Sequence, residues 1–219
     1  MKYKAVLFDM DGVVIDSEKV YKDCWKTIGA KVGISNKDMG DLFDLCLGMS
    51  EQDELEVFKQ KLGWSYVNYF MFKKLVEKQK PSGTPKVKQG VEKLLENLQK
   101  EGYIIALVSS NTIQNIEYNL FSTGLFKYFD HIISGEEVKH SKPNPEIYQL
   151  ALTRMGLKPM DCLVLEDSPN GIKSAVSAGI DAYMIEDTIC CSKELQKLVV
   201  GYHNSFIYVE QILRGNVNV

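Results

Sequence analysis

Asp9 and Asp11 stand two residues apart at the end of the first apolar run, Ala5-Val6-Leu7-Phe8, and Gly12 follows them. A carboxylate can act as a nucleophile, and a second acid two residues on can protonate a leaving oxygen and later activate water. Further along, Ser109-Ser110-Asn111 ends a second apolar run, Lys142 stands in Ser141-Lys142-Pro143, and Glu166-Asp167 ends a third. Gathered in one cleft, these carboxylates would repel each other and could not all stay ionised without a cation. A hard ion such as Mg2+ suits carboxylates, backbone carbonyls and water, with a phosphoryl group supplying a further oxygen. Lys142 can neutralise the attacking carboxylate and a phosphate oxygen. Ser109 and the amides that open the next helix can hydrogen-bond the others. Taken singly, each motif has a plain structural explanation: a turn, a helix cap, a loop, a solvated pair of acids. Their appearance at successive strand ends, in this order, is what points to chemistry.

The elements that must position these residues can be read from the same sequence. Lys4 to Asp9 is expected to be a short buried strand. From about Asp16 to Lys80 the pattern turns helical, with breaks near Gly33, Gly48 and Gly63 and helix starts at Ser35-Asn36 and Ser50, so four helices fit. Pro81-Ser82-Gly83-Thr84-Pro85 reads as a linker. Beyond it helix and strand alternate. Val91, Leu94, Leu95 and Leu98 mark an amphipathic helix ended by Gly102, and Tyr103–Ser109 a buried strand followed by a helix to about Phe121. His131–Ser134, Cys162–Leu165 and Ala182–Ile185 read as strands. Between them one helix begins at Asn144-Pro145, with Pro at its first position, and ends at Gly156, and another runs from Ile172 to Ala178. This alternation predicts an α/β fold: a doubly wound parallel sheet covered by helices on both faces, with a helical domain (16–81) inserted after the first strand of a core formed by 1–15 and 82–219. In such sheets ligands bind beyond the carboxyl ends of the strands, where the acids, Ser109 and Lys142 fall.

Composition narrows the field. The chain has 219 residues, 45% apolar and 25% charged, with a formal net charge of −3, an ordinary balance for a globular protein. That charge gives no electrostatic grip on nucleic acid or an anionic membrane. No run is long enough to span a bilayer, and the first apolar stretch stops at Asp9, unlike a signal peptide. Cys24, Cys46, Cys162, Cys190 and Cys191 are odd in number and lack CxxC spacing, so reduced thiols and a cytoplasmic location are expected. His131, His140 and His203 form no zinc-binding set. The expected partner is a small molecule, and the expected state is a monomer.

Phe8-Asp9-Met10-Asp11-Gly12-Val13-Val14-Ile15-Asp16-Ser17-Glu18 resembles the first motif of the haloacid dehalogenase-like superfamily. Ser109 fits its second motif, Lys142 in Ser-Lys-Pro-Asn-Pro-Glu-Ile-Tyr its third, and Glu166-Asp167 in Leu-Glu-Asp-Ser-Pro-Asn-Gly-Ile its fourth. The likeness covers nearly the whole chain, the helical insert matches the family's small cap, and the nearest branch is that of the β-phosphoglucomutase-like phosphatases and mutases. The resemblance implies an aspartyl-phosphate on Asp9 and a general acid/base in Asp11, whose backbone carbonyl would also meet Mg2+. It makes Asp9 and Asp167 metal ligands, with Glu166 acting through water. Ser109 and Lys142 would bind the phosphoryl group, with Gly12, Ser110 and Asn111 beside it. An acid at Asp11 favours phosphoryl transfer over dehalogenation or ion pumping.

The cap is expected to choose between phosphatase and mutase. β-Phosphoglucomutases carry a histidine on the first cap helix and an arginine after the cap's Gly-x-Ser. Here those places hold Tyr21 and Glu51, the latter in Gly48-Met49-Ser50-Glu51. A carboxylate facing a second phosphate is repulsive, which favours hydrolysis of a small phosphate monoester over a mutase reaction. Glu51 also suits the first turn of a helix, where the dipole welcomes an acid. Trp64 and Tyr66 read as cap core, and Asp16 as a helix N-cap. A receiver domain would lack the insert, a silent binding protein would have lost a motif residue, and a dinucleotide-binding oxidoreductase needs a GxGxxG that is absent.

Overall fold

The computed structural model describes residues 2–79 and 83–214. Within them a six-stranded, all-parallel sheet has the order β3-β2-β1-β4-β5-β6, formed by β1 (Ala5–Phe8), β2 (Ile104–Ser109), β3 (His131–Ser134), β4 (Cys162–Glu166), β5 (Asp181–Ile185) and β6 (Gly201–His203). Order reverses on either side of β1, which pairs with β2 on one edge and β4 on the other, so the end of β1 lies at the topological switch point. Phe8 is level with Leu107 and Leu165, which puts Asp9 at the same height as the ends of both neighbours.

Alternation along the strands supplies two apolar faces. Val6, Phe8, Ile105, Leu107 and Leu165 point toward α5 (Val91–Lys100), α6 (Ile113–Thr123) and α10 (Ile207–Leu213). Ala5, Leu7, Val108, Val164 and Met184 meet α7 (Glu146–Met155) and α8 (Pro169–Ser177) on the other side. Burial on both faces is why these strands read as continuous apolar runs.

The insert holds α1 (Glu18–Lys31), α2 (Asn36–Cys46), α3 (Glu51–Leu62) and α4 (Tyr66–Gln79). Ser35 and Ser50 cap α2 and α3 by accepting from the amides of Asp38 and Asp53. These helices have their own core, in which Trp25 meets Phe43, Phe58 and Phe72 at 5.1–5.3 Å between ring centroids. The expected boundary at 81/82, and Pro81 and Ser82 of the linker, lie outside the described residues.

Several local expectations need correction. Asp16 is not a helix cap. Ser17 occupies that position, while Asp16 accepts from Lys86 Nζ at 2.6 Å and donates its own amide to the Lys86 carbonyl at 2.8 Å. Ile15 and Val87 form an antiparallel bridge beside them, so the chain enters and leaves the cap as a paired ribbon. Tyr66 is not cap core: it is 60% exposed and stacks on Phe70 at the surface, whereas Trp64 does pack on Phe58 and Phe72. Pro145 is the cap residue of α7 rather than its first helical residue. α8 begins at Pro169, ahead of Ile172, because Ser168 caps it through the Gly171 amide. β6, α10 and the short α9 (Lys193–Gln196) close the fold without having been expected.

Candidate active site

Strand ends hold the first wall of the site. Asp9 follows β1, and its amide donates to the Leu165 carbonyl at 3.0 Å, extending the ladder by one residue. Lys142 reaches it from the loop before α7. The ammonium donates to Asp9 Oδ1 at 2.5 Å, Glu166 Oε1 at 2.7 Å and the Val108 carbonyl at 3.2 Å. Burial alone would lower the pKa of this ammonium, but Asp9 and Glu166 outweigh it and hold Lys142 well above the usual lysine range.

Glu166 is completely buried and accepts four hydrogen bonds. Tyr148 OH donates to Oε1 at 3.0 Å beside Lys142, while the Ser168 amide and hydroxyl take Oε2 at 3.2 and 3.0 Å. Asp167 accepts no hydrogen bond among the described residues. Asp9, Glu166 and Asp167 each offer an oxygen, all within 4.8 Å of one another. Burial, opposed by Lys142 and reinforced by Glu166, pushes the Asp9 carboxyl up to about 8. Burial and the charges of Glu18 and Glu166 push Asp167 well above the carboxylate range. Three buried acids with one ammonium among them are short of positive charge, and an all-oxygen set suits a hard divalent cation. Gly12 belongs to the same geometry. Its φ is +73°, and a Cβ there would lie 1.9 Å from Asp167 Oδ2, so the turn after β1 and the Asp167 carboxylate require its bare backbone.

Asp11 stands apart from that cluster. Ser17 Oγ donates to its Oδ1 and Asn111 Nδ2 to its Oδ2, both at 2.5 Å. Asn111 therefore orients the acid, and its amide N–H and Nδ2 also reach Ser109 Oγ at 3.2 and 3.3 Å. Ser110 lines the cavity, but its hydroxyl is donated to the Gly48 carbonyl of the cap at 2.8 Å.

A cavity of about 440 Å³ joins this wall to the cap. Tyr21 and Glu51 both line it, as does the turn Leu47–Ser50. Among the lining residues that sequence reasoning missed, three charged ones matter most here. Lys73 on α4 pairs with Glu54 on α3 at 2.7 Å, and both read in sequence as ordinary solvated helix charges. Glu18 is the third. It is 7% exposed, its Oε2 has no hydrogen-bond partner among the described residues, and burial with the charges of Asp11 and Asp9 raises its pKa well above the usual range. The first motif contains Glu18, but a first-turn acid after Ser17 gives no sign that its helix lies over a cavity.

Comparison with known proteins agrees with this geometry. The model of a family described as haloacid dehalogenase-like hydrolase matches residues 6–185. A phosphorylated carbohydrates phosphatase of Thermotoga maritima is 34% identical over 183 residues, covering 81% of this chain and 82% of that protein. Hexitol phosphatase B of Escherichia coli strain K12 is 26% identical over 189 residues, with 83% and 82% covered. The crystal structure of a protein described as a putative β-phosphoglucomutase, from Thermotoga maritima, superposes with a TM-score of 0.72 at 30% identity, covering 98% of this chain and all of that one. An edge of buried acids around Lys142, a helical cap entered beside β1, and a family match along most of the sequence converge: the chain belongs to the haloacid dehalogenase-like hydrolases.

Proposed function

We propose that this protein is a magnesium-dependent phosphatase that hydrolyses a small phosphate monoester, a sugar phosphate or similar, through a phosphorylated Asp9. The observation that carries this reading is the division of labour between two acids in one cavity. Asp9 sits against Lys142 with the other buried carboxylates, while Asp11 is held clear of them by Ser17 and Asn111. In this reading an Asp9 oxygen attacks phosphorus, and Asp11 gives its proton to the departing alcohol oxygen. Asp11 then takes a proton from water, whose oxygen attacks the phosphoryl group and frees phosphate and the Asp9 carboxylate. Ser109 and Lys142 hold the phosphoryl oxygens. Asp9, Asp167 and the Asp11 carbonyl would hold Mg2+, with Glu166 through water, and the ion would neutralise charge on the phosphoryl group.

Glu51 and Tyr21 support hydrolysis over a β-phosphoglucomutase-type transfer. Both line the cavity, where Glu51 would repel a second phosphate. The phosphorylated carbohydrates and hexitols in the relatives' names fit a polyhydroxylated monoester. We place this activity in the cytoplasm and in a monomer. All five cysteines are free thiols, and among the described residues no helix is long and apolar enough to cross a membrane. The test is phosphate release from a panel of sugar and polyol monophosphates with Mg2+. Conversion of β-glucose 1-phosphate to glucose 6-phosphate without phosphate release would instead establish the mutase.

A further inference from the structure

The cap is tied to the catalytic edge at one turn. Leu47 and Gly48 lie between α2 and α3. Asn170, the second residue of α8, donates Nδ2 to the Leu47 carbonyl at 2.7 Å and to the Leu45 carbonyl at 3.3 Å. Leu45 belongs to the last turn of α2, whose carbonyls have no partner within their own helix. The positive N-terminus of α8 thus meets the negative C-terminus of α2. Ser110 Oγ donates to the Gly48 carbonyl, and Ser141 Oγ to Asp53 in the first turn of α3. Gly48 has φ +76°, and a Cβ on it would lie 2.7 Å from Ser168 Oγ, so the turn rests directly on the loop after β4.

The three donors come from three different core segments, two loops and the first turn of α8. Ser110 follows Ser109, Ser141 precedes Lys142, and Asn170 stands three residues after Asp167. Their acceptors all fall within residues 45–53 of the cap. Asn170 is in the first turn of the helix joined to the acids: Ser168 bonds Glu166 Oε2 through its amide and hydroxyl, and its hydroxyl accepts from the Gly171 amide.

We infer that Asn170 is a positioning residue that latches the cap turn onto the segment from Glu166 to Asn170, so that the cap wall carrying Met49 and Glu51 is in place only while that segment holds its shape. The inference builds on the proposed phosphatase reading for its kinetic consequence, but the latch itself can be measured without turnover. Asn170→Ala removes the donor to both carbonyls. Loss of such a hydrogen bond is expected to lower the ratio of closed to open cap by roughly tenfold. Small-angle scattering of the full chain should show a larger radius of gyration. kcat/KM for the best monoester should fall by about the same factor, and Mg2+ affinity by calorimetry should stay within about twofold. Asn170→Gln, which keeps an amide donor, should recover most of both losses. Gly48→Ala should open the cap in the same direction by pushing the turn off Ser168, and so tests the latch even if Asn170→Ala does not fold. Unchanged scattering in both variants overturns the latch. So does a fall in Mg2+ affinity as large as the fall in kcat/KM, which would place the effect on the acids rather than on the cap. If the wild-type protein hydrolyses no ester, the phosphatase reading fails while scattering still decides the latch.

Discussion

The two walls of the cavity are built on different rules. On the sheet side, charges are buried, Lys142 meets Asp9 and Glu166 at 2.5–2.7 Å, and the positions of the acids follow from the register of β1 and β4. On the cap side, Tyr21, Glu51, Glu54 and Lys73 project from three helices, α1, α3 and α4. The Glu54–Lys73 pair keeps 13% and 18% of its side-chain surface in contact with solvent. Strand ends cannot move without breaking the ladder, so that wall suits a reaction that tolerates no displacement. Helices held together by an aromatic cluster can drift by small amounts, and their exposed ends tolerate exchange. The difference teaches that damage to the sheet wall should stop the chemistry for every ester, while damage to the cap wall should change which ester is used.

The sharpest break of this contrast comes from Asp9→Asn, which should reduce phosphate release to background for every substrate in a panel; retention of activity with any one ester would sink the assignment. Asp11→Asn should cost roughly 10²- to 10⁴-fold in kcat, the usual range for a general acid/base, again irrespective of the ester. Lys142→Met leaves Asp9 and Glu166 buried without their counter-charge. It should lose about 3–5 kcal/mol in urea unfolding of the metal-free protein, and Mg2+ should restore some of that loss. An unfolding midpoint equal to wild type would mean that the ion trio is not what holds this edge.

Asp9 gives the contrast a pH signature. Its carboxyl is raised from 3.8 to about 8 in the fold, so its contribution to metal-free stability is complete below about 4 and is lost as pH rises toward 8. A divalent cation binds the ionised form, so stabilisation by Mg2+, followed as a shift in melting temperature, should grow between pH 6 and 8. A flat response would show that the acids carry no net charge deficit. The smallest effect is expected on the cap side. Glu51→Lys should raise kcat/KM for a sugar bisphosphate relative to its monophosphate by about tenfold, the modest size reflecting an exposed, screened charge. An equal loss for both esters would move Glu51 from selection to chemistry.

Much of the sheet wall was legible in the sequence because Asp9, Ser109 and the Glu166-Asp167 pair each end an apolar run. Period and punctuation find such runs, and parallel pairing then brings their ends together. The same logic gave the α/β core, the inserted helices, and the caps at Ser35 and Ser50. It could not find Glu18, because burial of a first-turn acid depends on what lies across the cavity rather than on its neighbours in sequence. Asp16 looked like a cap for the same reason: its partner, Lys86, is seventy residues away across the insert. Glu54 and Lys73 meet between two helices whose relative rotation no local pattern fixes. β6 has three residues and α9 four, too short to carry a period. Tyr66 misled because aromatic character predicts burial on average, yet it falls on the outer face of α4.

The paired ribbon at Ile15 and Val87 has a consequence for how such proteins diversify. Because the insert departs and returns at one spot, its length and sequence make no demand on the spacing between β1 and β2. The sheet sees a loop closed at its neck, whatever hangs from it. Lineages can therefore lengthen, shorten or replace the hanging domain by single changes without refolding the frame that holds Asp9. A neck of paired backbone also fixes where the hanging domain joins the sheet, so Asp9 keeps its place at the end of β1 whatever that domain becomes.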